Sequence, residues 1–311
     1  MRRSFRTILI DAIMKNAKDN PQVVVLNADS ARALCLTKFG ESYPDRMFSL
    51  GISEADMLAT AAGMSTTGLI PIVVGFSMFV TEKPFEQIRQ AIAYPNLNVK
   101  IIATHAGLCV GKDGATHQAL EDIAVMRVLP NFKVFVAADV SQTESAIDSM
   151  ILHEGPAYLR LGRDLAEDIY SEPKSIVPGG SDTLTEGMDV TIVACGLMVE
   201  QALKAADELK NMGVSASVIN AYSVKPLDEN TIISSARITG AVVSAEDHSV
   251  IGGLGSAIAE TLVKNYPVPM EFIGVNDHFG ESGDQDELYK KYGLTHKNIV
   301  EASLKAINRK V

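Results

Sequence analysis

Short apolar runs alternate along the first half of the chain with stretches in which apolar residues recur every three or four positions. Phe5, Ile8, Leu9, Ile13 and Ala17 predict a helix over about residues 4–18. Asn20-Pro21 ends it, and Val23 to Leu26 reads as a buried strand. Met47 to Leu50 predicts a short strand, followed by a helix capped at Ser53 and rich in Ala and Met. Ile70 to Val74 is a strand, and Pro84 to Ala93 is helical with Pro84 in its first turn. Val99 to Ala103 then enters a loop punctuated by Gly107, Gly111 and Gly114, from which Thr116 is expected to cap a helix running from His117 to Leu129. Lys133 to Ala137 and Ala157 to Leu161 are further strands around a helix from Ser141 to Leu152. The alternation implies an α/β fold built on a mostly parallel sheet covered on both faces.

The rhythm breaks between Asp164 and Gly187, where Glu172-Pro173, Pro178-Gly-Gly180 and scattered acids read as a linker. A second, smaller β/α series follows. Its strands are Val190 to Cys195, Ser215 to Asn220, Ala241 to Ala245 and Glu271 to Val275. Its helices are Met198 to Asn211, Asp228 to Ala236 and a last one running to Lys264. Gly252-x-x-Gly255 opens that last helix, and close packing accounts for it better than a phosphate turn, because the dinucleotide fingerprint is incomplete.

A chain of 311 residues accommodates two domains. Its net charge of −10 argues against nucleic acid or an anionic membrane as the main partner, so an anionic substrate needs locally gathered Arg, Lys and His. Cys35, Cys109 and Cys195 are odd in number and far apart, with no metal-ligand spacing, which suggests reduced thiols. The N-terminus has basic residues but no apolar signal core, and no apolar run is long enough to span a bilayer. A cytoplasmic protein is expected.

Candidate chemistry gathers at the predicted C-terminal ends of the first-half strands, the ligand edge of an open α/β sheet. His105 and His117 bracket the glycine loop and titrate near neutral pH in ordinary surroundings. Glu54 follows the cap Ser53; alone it is an ordinary first-turn acid that favours the helix dipole. Phe76 and Phe79 lie beyond a strand end, and together they suit a flat apolar slot for a ring.

This arrangement resembles the C-terminal half of transketolase, its pyrimidine-binding and C-terminal domains standing as a separate polypeptide. The pieces are Ala28-Asp29, Gly51-Ile-Ser-Glu-Ala-Asp-Met57, Gly75-Phe-Ser-Met-Phe79, Thr104-His105, Gly111-Lys-Asp-Gly-Ala-Thr-His-Gln118, Leu161-Gly-Arg163 and Phe279-Gly-Glu-Ser-Gly283, in order over nearly the whole chain. The resemblance implies two three-layer α/β/α domains. The larger, pyrimidine-binding one is expected over 1–165 and the smaller over 189–311, with a linker at 166–188.

The resemblance also implies thiamine diphosphate as cofactor and transfer of a two-carbon ketol unit from a ketose phosphate to an aldose phosphate. Glu54 matches the glutamate that bonds N1′ of the aminopyrimidine, where it should carry or share a proton. Phe76 and Phe79 match the aromatics packed on that ring, and Asp29 a residue near the thiazolium. His105 and Arg163 match groups that hold the sugar phosphate. Asp113 and His117 match contacts to sugar hydroxyls, with His117 a proton shuttle, and Arg2 falls near a further phosphate-binding arginine. Two departures bear on the substrate: Ala33, near Arg32, replaces a phosphate-binding serine, and Glu82 replaces a tyrosine.

No Gly-Asp-Gly occurs in the sequence, although the family's Mg²⁺ and diphosphate loop requires it. The expectation is therefore an N-terminal transketolase subunit that supplies the diphosphate-binding domain and the Mg²⁺ site, in an α2β2 heterotetramer with the active site at the interface. The C-terminal domain is expected mostly to serve dimerisation, and His248 to be structural. Two alternatives share the domain order or the fold. One is the β subunit of a 2-oxoacid dehydrogenase E1 or a deoxyxylulose-phosphate synthase; the other is a non-catalytic interaction subunit.

Overall fold

Each apolar run of the first half becomes a strand whose alternate residues feed opposite helical layers. In the strand Val23–Asn27, Val24 and Leu26 pack with Met57, Leu58 and Ala61, whereas Val23 and Val25 pack with Phe5, Leu9 and Ile13. Side chains on a strand point alternately to its two faces, so one continuous apolar run serves both layers. The computed structural model describes residues 3–163, 165–172 and 174–310.

The larger sheet has seven strands in the order Ser223–Lys225, Lys133–Val136, Ala157–Arg160, Lys100–Thr104, Ile70–Phe76, Val23–Asn27, Met47–Ser49. All neighbours are parallel except Ser223–Lys225, which comes from the C-terminal half and runs antiparallel to Lys133–Val136. One face is covered by the helices Phe5–Asp19 and Val140–Leu152, the other by Glu54–Ser65, Asp122–Val128 and a π-helical turn at Ile88–Ala93.

The second sheet has five strands in the order Met270–Val275, Val242–Ser249, Val190–Ala194, Ala216–Asn220, Asp182–Thr185, the last of them antiparallel. Asp182–Thr185 lies inside the stretch expected to be a plain linker, so that stretch is in part structured. The two sheets share apolar contacts. Val193, Ile219 and Ile258 join the same buried cluster as Val134 and Ile123.

The expected helix at His117 to Leu129 is shorter. Thr116 caps nothing and the helix runs over Asp122–Val128. The five residues before it are recruited elsewhere: Ala119 bridges to Ala106, and Gln118 is drawn back onto the loop carbonyl of Gly111. At Gly252–Gly255 the helix N-terminus is filled from within, because Glu246 accepts from Leu254 N at 2.7 Å and Gly255 N at 2.8 Å. Packing therefore explains those glycines: a Cβ on Gly253 would lie 2.1 Å from the Glu246 carboxylate. Among the described residues no helix is long and apolar enough to cross a membrane.

Candidate functional site

Three neighbouring parallel strands, Ile70–Phe76, Val23–Asn27 and Met47–Ser49, end side by side, and the segments that follow them enclose a cleft of about 270 Å³. Asp29, Ala33, Glu54, Phe76, Phe79 and Lys83 line it. Asp29 reaches the cleft through a left-handed turn at φ 59°, and its side chain is exposed. Glu54 enters as the first residue of its helix and is buried, which brings a carboxylate under an apolar roof. Lys83, which sequence reasoning missed, sits 2.5 Å from Glu54 Oε2. Its polar surroundings Thr81-Glu82-Lys83 look in the sequence like any solvated helix end.

An aromatic path leads from the cleft to the histidines. Phe76 and Phe79 lie 6.4 Å apart between centroids; Phe76 packs at a tilt against His105 at 4.2 Å and Phe79 meets His117 edge-on at 5.1 Å. The structure thus gathers Asp29, Glu54, Phe76, Phe79, His105 and His117 along one strand edge. His105 is buried at φ 57° and shares a 2.8 Å hydrogen bond from Nδ1 with Thr104 Oγ1. Burial, then the charges of Arg163, Arg6 and His117, push its pKa down to about 3. His105 is therefore a neutral imidazole that offers hydrogen bonds, not charge. His117 pairs through Nδ1 with Thr116 Oγ1 at 2.9 Å.

Asp113 and Arg163 meet as an ion pair at 3.0 Å, and Arg163 also donates to the Val110 carbonyl. Arg6 donates to the Ala33 carbonyl at 3.3 Å, which puts a second guanidinium beside the cleft that the sequence did not single out. Arg2 lies outside the described residues. No group of three or more His, Cys, Asp or Glu that could hold a metal ion occurs among the described residues.

Behind the cleft lies a buried polar core that the strand pattern hides. Asp122 accepts from Ser77 Oγ at 2.9 Å, Tyr158 OH at 2.6 Å and Arg160 Nε at 2.8 Å. Burial alone would raise the Asp122 pKa, but Arg160 and the neighbouring donors hold it below the usual carboxylate value. Glu82, half-buried beside Glu121 and Asp122, goes the other way: burial first, and then their charges, raise it to about 8. His248 is buried, with Nδ1 on the Ser249 carbonyl at 2.7 Å.

Comparison with known proteins adds a second line. Residues 2–168 match the family model described as transketolase, pyrimidine binding domain, and residues 179–299 the model described as transketolase, C-terminal domain. The chain is 41% identical over 305 residues to a 6-deoxy-6-sulfo-D-fructose transketolase subunit of Clostridium sp. (strain MSTE9), covering 98% of this chain and 95% of the relative. It is 40% identical over 312 residues to a putative transketolase C-terminal section of Methanocaldococcus jannaschii, covering 99% and 96%. A solved structure described as a split gene transketolase, inactive beta4 tetramer, superposes with a TM-score of 0.93 at 46% identity and 99% coverage of both chains.

Proposed function

The chain belongs to the transketolase family, as a polypeptide that carries its pyrimidine-binding and C-terminal domains, and from that premise we propose that it is one subunit of a split transketolase. It would transfer a two-carbon ketol unit from an anionic ketose to an aldose, using thiamine diphosphate held jointly with a partner that carries the diphosphate and Mg²⁺ loop. The observation that carries this reading is a buried carboxylate, Glu54, set in an aromatic cleft that leads directly to two histidines.

The cleft suits the aminopyrimidine end of the coenzyme: Phe76 and Phe79 offer apolar faces, and Glu54 offers one hydrogen-bonding group in reach of a ring nitrogen. When bound, thiamine diphosphate supplies the nucleophilic carbon on which the two-carbon unit travels. Glu54 would hold the proton at the pyrimidine N1′, with Lys83 competing for its Oε2. The neutral His105 directs a hydrogen bond at the substrate, and His117 moves a proton to and from a sugar hydroxyl. Asp113 takes up sugar hydroxyls, and Arg163, with Arg6 nearby, attracts the anionic end. Asp29 lies where it can face the coenzyme's second ring.

Ala33 stands in the cleft where the resemblance implies a phosphate-binding serine, and its methyl group offers no hydroxyl there. One relative takes a sulfonated sugar by its name, so both phosphate and sulfonate ketoses belong in the assay. The absence of Gly-Asp-Gly from the sequence supports a separate diphosphate-binding subunit, and an α2β2 assembly follows from two such pairs. The test mixes this chain with a Gly-Asp-Gly partner, thiamine diphosphate, Mg²⁺, xylulose 5-phosphate and ribose 5-phosphate. Two-carbon transfer by the pair, and none by this chain alone, is expected. Release of CO₂ from a 2-oxoacid without sugar transfer would point to the dehydrogenase or deoxyxylulose-phosphate synthase alternative.

A further inference from the structure

The loop that carries the candidate substrate groups is braced from the C-terminal domain. Asp247, in the strand Val242–Ser249, is buried and accepts from Leu108 N at 2.8 Å, Cys109 N at 3.3 Å and Tyr289 OH at 2.8 Å. Gly107, at φ 81°, lies directly against it, and a Cβ there would come within 2.4 Å of the carboxyl group. The Asp247 carbonyl accepts from Arg160 Nη2 at 2.7 Å, which ties the same residue to the Asp122 core.

A second brace lies further along the loop. Gln118 Nε2 donates to the Glu281 carbonyl at 2.9 Å, Ser282 Oγ to the Lys112 carbonyl at 3.0 Å, and Lys112 pairs with Asp284 at 3.1 Å. Val110, whose carbonyl holds Arg163, lies between the two braces, and Asp113, whose carboxylate pairs with it, directly follows the braced Lys112. The position of the Arg163–Asp113 pair is thus set by backbone that another domain grips.

We propose that Asp247 is a positioning residue for the substrate: a carboxylate of the C-terminal domain that fixes the loop 107–113 and, through it, aims Asp113, Arg163 and the flanking His105 and His117 at the anionic sugar. This rests on the transketolase reading of the site. It gives the C-terminal domain a task inside the reaction in addition to dimerisation. The physical basis is that hydrogen bonds from adjacent N–H groups to one buried carboxylate are charge-assisted, and hold a short backbone stretch more firmly than neutral contacts would.

The test uses the full chain with Asp247→Asn and, separately, Tyr289→Phe. Asp247→Asn keeps the shape but weakens the acceptor, so amide exchange at Leu108 and Cys109 should quicken about tenfold or more. In the complex with the diphosphate-domain partner, KM for xylulose 5-phosphate should rise by a similar factor while the affinity for thiamine diphosphate holds. Tyr289→Phe leaves both N–H bonds in place and should move both readouts the same way by a smaller factor; it carries the test alone if Asp247→Asn does not fold. Unchanged exchange overturns the proposal. So does faster exchange with an unchanged KM, or sugar and coenzyme affinities that fall together. A wild-type complex that transfers no two-carbon unit would instead sink the proposed activity, and the exchange measurement would still decide whether Asp247 fixes the loop.

Discussion

Lys83 Nζ lies 2.5 Å from Glu54 Oε2, so the buried carboxylate of the aromatic cleft already carries a counter-ion from its own chain. Lys83 is half exposed while Glu54 is not, which makes the lysine the partner free to leave. A ring nitrogen that docks on Glu54 Oε2 must displace that ammonium. Replacing Lys83 by Met removes the competitor and should tighten coenzyme binding to the assembled enzyme by up to about fivefold, the worth of a partly exposed ion pair. Titration calorimetry reads this directly, and weaker binding would mean that Lys83 helps to hold the ligand.

Glu54→Gln keeps the size of the side chain but removes its ability to exchange a proton. Turnover of the two-subunit enzyme should fall by about 10²–10⁴, the usual range for a lost acid–base group. Coenzyme binding should persist. Undiminished turnover would leave the chain as a scaffold.

Glu82 predicts a pH dependence with a definite sign. Its folded pKa, raised to about 8 by burial and by the charges of Glu121 and Asp122, lies above the ordinary value of 4.5. Stability from its bound proton is fully present below about pH 4.5 and is lost as pH rises through 8. Glu82→Gln removes that loss. Melting curves of variant and wild type should lie close together near pH 5, with the variant a few degrees higher at pH 8.5. Parallel profiles across the range would show that the carboxyl titrates normally.

Arg160→Met strips the cation from Asp122 and should cost about 3–5 kcal/mol, because the buried carboxylate keeps its charge and loses its main partner. The melting temperature should drop by about 10 °C. Adding Asp122→Asn should restore part of it. A drop no larger than that of a surface substitution would mean that Ser77 and Tyr158 suffice for Asp122.

The strand order and the cleft were legible in the sequence to different depths. Val23 to Leu26, Ile70 to Val74 and Val99 to Ala103 announce buried parallel strands by composition alone, and the residues after them fall on one edge by topology. Glu54, Phe76, Phe79, His105 and His117 could therefore be grouped before any coordinates. The helix expected from Thr116 could not be corrected locally, because Gln118 is drawn away by carbonyls at Gly111 and Glu281, the latter far along the chain. Asp247 was invisible for the same reason: its N–H donors lie 138 and 139 positions away. Arg160 left a faint signal, as a charge at the end of an otherwise apolar strand. The helices Gln285–Tyr292 and His296–Ile307 went unread behind the short acidic run Asp284 to Glu287.

The crossing of Ser223–Lys225 onto the rim of the larger sheet has an outcome for how far such a polypeptide can be subdivided. A fragment that stopped near residue 165 would leave the backbone of Lys133–Val136 bare along one side, ready to zip onto any other open strand. Separating the two halves would therefore bare a strand edge that the intact chain keeps paired, and turn a closed rim into a sticky one.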